Sequence, residues 1–514
     1  MTPRRLGLLV ALTATMVVVS VAAQTGRAPV GAEATCGNSK PMACAALALE
    51  AMGGRERLES LRTIRTETVG HTAIVEQSYR QEPFLTEYHQ SHDMLDLAGQ
   101  RLYREAQVTW PEADLGHSRN DYTLIVDSTG GVFRGRSADR PCSSADVKAL
   151  RQMIALGPAR LLLTALQSED LHFDKPETIR STRDLVLAFV WDKVPVRVLI
   201  NPFTHLPDAV DTVQAFDDYW SYWGDVRQRV YFDNWMLIHG IVYPTSAVEE
   251  RNGTIWQTLQ AVNVEFNVAL EDKQFAMDDQ IARKGAGTKW FIAPFDGGKA
   301  VALAPGVDLF SGGWNASVIQ QSDGLLLLEV PMSGEYTQGL VDTARRLHPG
   351  LPIKAVLSTS DSWPHTGGVR QSVANGLPLY VLDLNRPLLD RLVEAPHSID
   401  PDALAKSGKR PDWRIVSGKT VIGQGENRVE LYPLRGTGTQ RQYMVYLPGR
   451  RILYASDTLV INSDGSLYDP ELTFEVLQAV KREGLDVATV FAMHQAPVPW
   501  ATVLALVAKA QRAD

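Results

Sequence analysis

LSTSDSWPHTGG, residues 357–368, decides how the C-terminal half of this chain is read. An apolar run of strand type (Ile353, Ala355, Val356, Leu357) leads into it, and the pair Gly367-Gly368 opens a helical segment behind it. α/β enzymes place their chemistry at such strand-to-helix turns. The stretch holds a single histidine, His365, and a single carboxylate, Asp361. Either a metal site is built here with few ligands, or this is what remains of one.

The flanking sequence alternates strand and helix. WNASVIQQSDGLLLLEVP (314–331) reads as two strands about a Ser322-Asp323-Gly324 turn, and EYTQGLVDTARRLHPG (335–350) as an amphipathic helix ending at Gly350. GGVRQSVANG (367–376) is a short helix stopped by Gly376, and LPLYVLDL (377–384) is a further strand. This order predicts a layered α/β unit over 285–514.

The region from about 300 to the end resembles the metallo-β-lactamase superfamily. That family carries His-x-His-x-Asp-His before a glycine-rich helix start, then a third histidine, a metal-bridging aspartate after a strand, and a last histidine. On this chain the motif falls on Ser360-Asp361-Ser362-Trp363-Pro364-His365. Both leading histidines are serine, the aspartate is Pro364, and only His365 matches. The third histidine falls on Gly438 within Arg435–Thr439. MVYLPGRRILYASDTLV (444–460) supplies the bridging aspartate as Asp457, and VATVFAMHQAPVPW (487–500) supplies the last histidine as His494. The resemblance therefore implies that one metal half-site is erased and that most of the other survives as His365, Asp457 and His494.

Two imidazoles and a carboxylate suit one Zn²⁺ with an open fourth position, or Fe²⁺. A metal so held lowers the pKa of its water toward about 7 and generates a hydroxide. Asp361 is the acidic neighbour that would replace the lost carboxylate or act as a base. The competing reading is a metal-free His–carboxylate–His cluster held by hydrogen bonds. Pro364 favours it, because a proline ring fixes φ and biases Trp363 toward extended geometry. Ser360 and Ser362 lack the Gly-x-Ser-x-Gly setting of a hydrolase nucleophile, and His397 reads as part of a solvated acidic loop. The expectation is a binding module that has lost its chemistry, the alternative a one-metal hydrolase acting on an ester, thioester or lactone.

Upstream, residues 41–284 read as an α+β antiparallel unit. Helical spacing over 41–62 is broken at Gly53-Gly54, one helix is expected over 144–167 with Ser144 as its N-cap, and strands such as 185–190 and 196–200 alternate with turns. AMGGRERLESLRTIRTETVG (51–70) and YFDNWMLIHGIVYPTSAVEERNGT (231–254) resemble periplasmic lipoprotein-carrier half-barrels. That resemblance implies an apolar ligand or a docking role. Tyr219, Trp220, Tyr222 and Trp223 would then line a cavity, although aromatic clusters more often pack in a core.

Arg4 and Arg5, an apolar run to Val19 and Val21-Ala22-Ala23 form the three-part pattern of a signal peptide over 1–23, with 24–40 a flexible lead-in. The mature protein is expected to be exported, periplasmic or secreted, with no later membrane span. Cys36, Cys44 and Cys142 leave the pairing open. The net charge of −8 over 514 residues, with no basic stripe, argues against nucleic acid. An unidentified small or apolar molecule is the expected partner, and the oligomeric state is not legible.

Overall fold

The computed structural model describes residues 35–74, 84–109, 121–135, 138–285, 287–289, 294–295, 297 and 300–511. The signal-peptide segment 1–23 and most of the lead-in lie outside them.

The described chain starts at a disulfide between Cys36 and Cys44, which ties a short turn to the helix Pro41–Ala51. Cys142 is buried and unbridged. Proline opens that helix where its missing N–H costs nothing. Gly53 and Gly54 end it, at φ 114° and 96°, a region closed to most side chains. A Cβ on Gly53 would also lie 2.4 Å from the Gly240 carbonyl oxygen. The expected helical segment is thus two helices, the second being Arg55–Glu59.

A 13-stranded antiparallel sheet follows, curled into a half-barrel. The strand Thr63–Ala73 pairs with Thr254–Phe266, so the first and last strands of the run are neighbours. The helices fill the concave side. Leu49, Leu58 and Leu162 meet Leu187, Val198 and Phe232 in one buried cluster. The single helix expected over 144–167 is divided into Ser144–Leu156 and Leu161–Gln167. Its N-cap is Ser143, not Ser144: Asp146 accepts from the Ser143 N–H at 2.8 Å in a capping box. A cavity of about 120 Å³ lies between sheet and helices, lined by Ile64, Leu95, Leu102, Met153 and Tyr243 among others.

The aromatic cluster does not line that cavity. Tyr219–Trp223 form a 3-10 turn, and Tyr222 is buried against the C-terminal unit beside Val318 and Leu340. Core packing is the correct reading. His397 is a correction. Expected on a solvated loop, its side chain is 6% exposed. It packs on Gly224, where a Cβ would come within 2.5 Å of the imidazole. Next to it, the Asp225 N–H donates to the Pro396 carbonyl at 2.8 Å, and the Asp225 carboxylate accepts from the N–H groups of Ser398 and Ile399 at 2.8 and 3.0 Å. This staple fastens the half-barrel to the C-terminal unit.

The C-terminal unit is an αββα sandwich of one seven-stranded and one six-stranded sheet. Alternation along Gly324–Leu328 shows why the layers form. Leu325 and Leu327 point to a helical layer containing Leu340, Val341 and Val373. Leu326 and Leu328 point to the second sheet, against Leu431, Val445 and Phe491. The helices Pro470–Arg482 and Trp500–Ala510 cover the other side through Val476, Ala479 and Val503. The helix Gly334–Leu347 ends at a His348 cap, and Gly350 instead takes the left-handed turn beyond it. That helix joins parallel strands Gly324–Leu328 and Ile353–Leu357, so the loop after Leu357 emerges at the carboxyl edge of the sheet.

Candidate functional site

His365, Asp457 and His494 converge at that edge. His365 stands on the short helix Trp363–Thr366, which Pro364 enters at its first turn. Asp457 follows the strand Ile452–Tyr454, and His494 follows Thr489–Phe491. The His494 Nε2 is 3.4 Å from Asp457 Oδ1, and the His365 Nε2 is 3.9 Å from Asp457 Oδ2. His365 is fully buried, whereas Asp457 and His494 are 29% and 31% exposed.

Both rings are fixed from behind. The His494 Nδ1 lies 2.6 Å from the Gly313 carbonyl oxygen, so it carries the proton there. Trp314, beside it, meets the His494 and Trp363 rings edge-on at 5.9 and 5.8 Å. The His365 Nδ1 lies 3.1 Å from a carboxylate that sequence reasoning missed, Glu329. Glu329 is fully buried. It ends the run Leu325–Leu328 at φ 67°, a strained conformation for a non-glycine residue. It also accepts from the Thr359 N–H at 3.3 Å and from the Thr359 hydroxyl, and that hydroxyl is 2.7 Å from Ser456 Oγ. The signal in the sequence was an acid closing a strand of four leucines.

Burial opposes charge on His365, but Glu329 and Asp457 outweigh it and raise its pKa to about 10. Burial also works against the Asp457 carboxylate, and the two imidazoles overcome this and hold its pKa low. The Asp457 N–H is held by the Gln442 side chain at 3.1 Å.

The positions where the resemblance places the other ligands are occupied by small residues. Ser360 and Ser362 are buried, and the Ser362 N–H donates to Ser360 Oγ at 3.3 Å. At Gly438 a Cβ would come within 2.5 Å of Leu472 Cδ2. The Gly438 N–H and the Thr439 hydroxyl donate to Glu475 at 3.0 and 2.7 Å. A side chain there would require Leu472 to shift. Asp361 is buried and bound by Arg441, whose Nε donates at 2.7 Å and whose guanidinium also holds the Leu384 carbonyl at 2.6 Å. Burial raises the Asp361 pKa, with Arg441 opposing.

Tetrahedral zinc with bonds of about 2.0–2.2 Å sets neighbouring ligand atoms roughly 3.3 Å apart. The His494–Asp457 pair meets this and the His365–Asp457 pair is wider. Among the described residues no three His, Cys, Asp or Glu stand together as a metal-holding group.

No protein-family model matches the chain, and no curated protein matches it. Solved structures do. The DIM-1 metallo-β-lactamase is 17% identical over 42% of this chain and 98% of its own, with a TM-score of 0.33. A metallo-β-lactamase from Erythrobacter litoralis is 18% identical over 42% and 99%, with a TM-score of 0.32. The sec-alkylsulfatase Pisa1 from Pseudomonas sp. is 14% identical over 41% and 40%, with a TM-score of 0.31. On its own layers and strand order, the C-terminal unit has the metallo-β-lactamase type of fold.

Proposed function

We propose that this is an exported, two-unit protein whose sandwich has lost two-metal chemistry and serves as a binding module for a small molecule. The observation that carries it is the erased half-site. Ser360 and Ser362 are poor ligands, and Leu472 fills the space a side chain at Gly438 would need. A second ion would have no imidazole at these positions, and Asp361 is engaged through one oxygen by Arg441. The buried disulfide Cys36–Cys44 supports export to an oxidising compartment.

A second reading has its own observation. Carboxylate or carbonyl oxygens hold the outer nitrogens of His365 and His494, so both Nε2 atoms face Asp457. This is how metal-ligating histidines are oriented. His365, Asp457 and His494 would then hold one Zn²⁺, which supplies a Lewis acid and an acidic water. Glu329 orients His365, and Trp314 shields His494 on one side.

Elemental analysis of the purified mature protein, with a panel of ester, thioester and lactone substrates, separates the two. The binding module predicts no stoichiometric metal and no turnover above background. One bound equivalent, lost in His494→Ala together with turnover, establishes the one-metal hydrolase instead.

A further inference from the structure

Far from that site, the half-barrel buries a carboxylate with no donor. Asp184, on the strand Thr182–Trp191, is fully buried, and among the described residues no N–H or hydroxyl donates to either of its carboxylate oxygens. An ionised carboxylate in that position is strongly disfavoured.

Its neighbours are otherwise engaged. Glu177 lies directly opposite it in register. The Glu177 carboxylate is taken by Arg197 and Arg229 at 2.9 and 2.7 Å. Arg180 is paired with Asp233 at 2.5 and 2.6 Å. A second acid lies in the same row of the sheet: Leu185 pairs with Ile200 and Ile200 with Pro207, which puts Asp208 across the middle strand from Asp184. Asp208 is the extra residue of a bulge, since Pro207 pairs with Ile200 and Ala209 with Leu199. The bulge re-aims its side chain. The Asn201 amide donates to Asp208 Oδ2 at 2.9 Å. The Asn201 Oδ1 accepts from the N–H groups of Phe203 and Thr204 at 3.0 and 3.2 Å, which shapes the turn that carries Phe203, 85% exposed.

We propose that Asp184 and Asp208 share one proton, an O–H of Asp184 donated to the Asp208 carboxylate, and form a pH-sensitive clasp under the Asn201–Leu206 turn. A proton fits better than a metal ion, because the nearby oxygen ligands are already taken: Asn201 Oδ1 by the N–H groups of Phe203 and Thr204, and the Glu177 carboxylate by Arg197 and Arg229. Burial first, and then the Asp208 charge, push the Asp184 carboxyl up from 3.8 to about 7. Such a raised carboxyl contributes stability that is fully present below the unfolded value and is lost as pH rises through the folded one. Above neutrality the proton leaves to solvent, two carboxylates face each other, and the turn loosens.

The test is thermal unfolding of the full chain from about pH 5 to about pH 8.5, with amide exchange at residues 203–206, in wild type, Asp184→Asn and Asp208→Asn. Wild type should lose several degrees of midpoint across neutrality, with exchange at the turn rising beyond its intrinsic pH dependence. Asp184→Asn, whose amide donates to Asp208 at every pH, should abolish both effects and melt above wild type at the alkaline end. Asp208→Asn, which removes the like charge, should flatten the same profile and serves if the first variant fails to fold. An Asp184→Asn protein less stable than wild type at alkaline pH overturns the proposal. So does a turn indifferent to pH, or added Ca²⁺ that raises the wild-type midpoint and removes its pH dependence.

Discussion

The two sides of the candidate site differ in what occupies them. On the side of Ser360, Ser362 and Gly438, ligand positions carry small residues and Leu472 occupies the space. On the side of His365, Asp457 and His494, the residues stay and each has an orienting partner: Glu329, Gln442 and the Gly313 carbonyl. Most buried polar groups have their hydrogen-bonding needs met. On the first side Ser360 and Ser362 bond each other and Glu475 takes the Gly438 N–H. On the second, one nitrogen of each ring is held by Glu329 or Gly313, while His365 Nε2 and Glu329 Oε2 are buried without a hydrogen-bond partner among the described residues. The difference teaches that ligand-type residues by themselves do not establish a metal: the His365 imidazolium between two carboxylates is already an ion-paired arrangement.

Substitutions that strand a buried charge should break this contrast hardest. Arg441→Ala leaves Asp361 buried without its cation and should cost about 4 kcal/mol in a denaturant titration. Glu329→Gln strips one carboxylate from His365 and should cost about 3 kcal/mol. The same variant carries a pH signature. With the His365 pKa raised from 6.5 to about 10, its contribution is fully present below 6.5 and is lost as pH rises through 10. The difference in stability between wild type and Glu329→Gln should therefore shrink across that window, as read by unfolding midpoints at stepped pH. Gly438→His probes the erased side. It forces a ring against Leu472 and should cost about 2 kcal/mol, without creating a metal site that zinc titration detects. His494→Ala, at a partly exposed position, should change stability by less than about 1 kcal/mol.

The fold of the C-terminal unit was legible because strand, turn and helix follow one another with matching local chemistry. Leu325–Leu328 alternates between two apolar layers, and Gly376 stops its helix in the left-handed conformation the sequence called for. Asp457 and His494 were legible for the same reason, each lying just past a short buried strand. What was not legible depends on contacts across the chain. Glu329 is separated from His365 by a strand and a helix, and nothing local marks it except its place after four leucines. Arg441 meets Asp361 across 80 positions. His397 reads as surface because its loop is acidic, yet Gly224, on a turn of the half-barrel, leaves the one gap that admits its ring. The helix starts at Ser144 as its spacing implies, but its cap is the neighbouring Ser143, because the carboxylate of Asp146 selects the first of two adjacent serines.

Metal content tests the central claim most directly. Wild-type protein purified without chelator, offered excess zinc and then desalted, should retain no stoichiometric metal, and His494→Ala should be indistinguishable from it. One tightly held equivalent in wild type that disappears in His494→Ala would contradict the account and return the His365–Asp457–His494 cluster to the metalloenzymes.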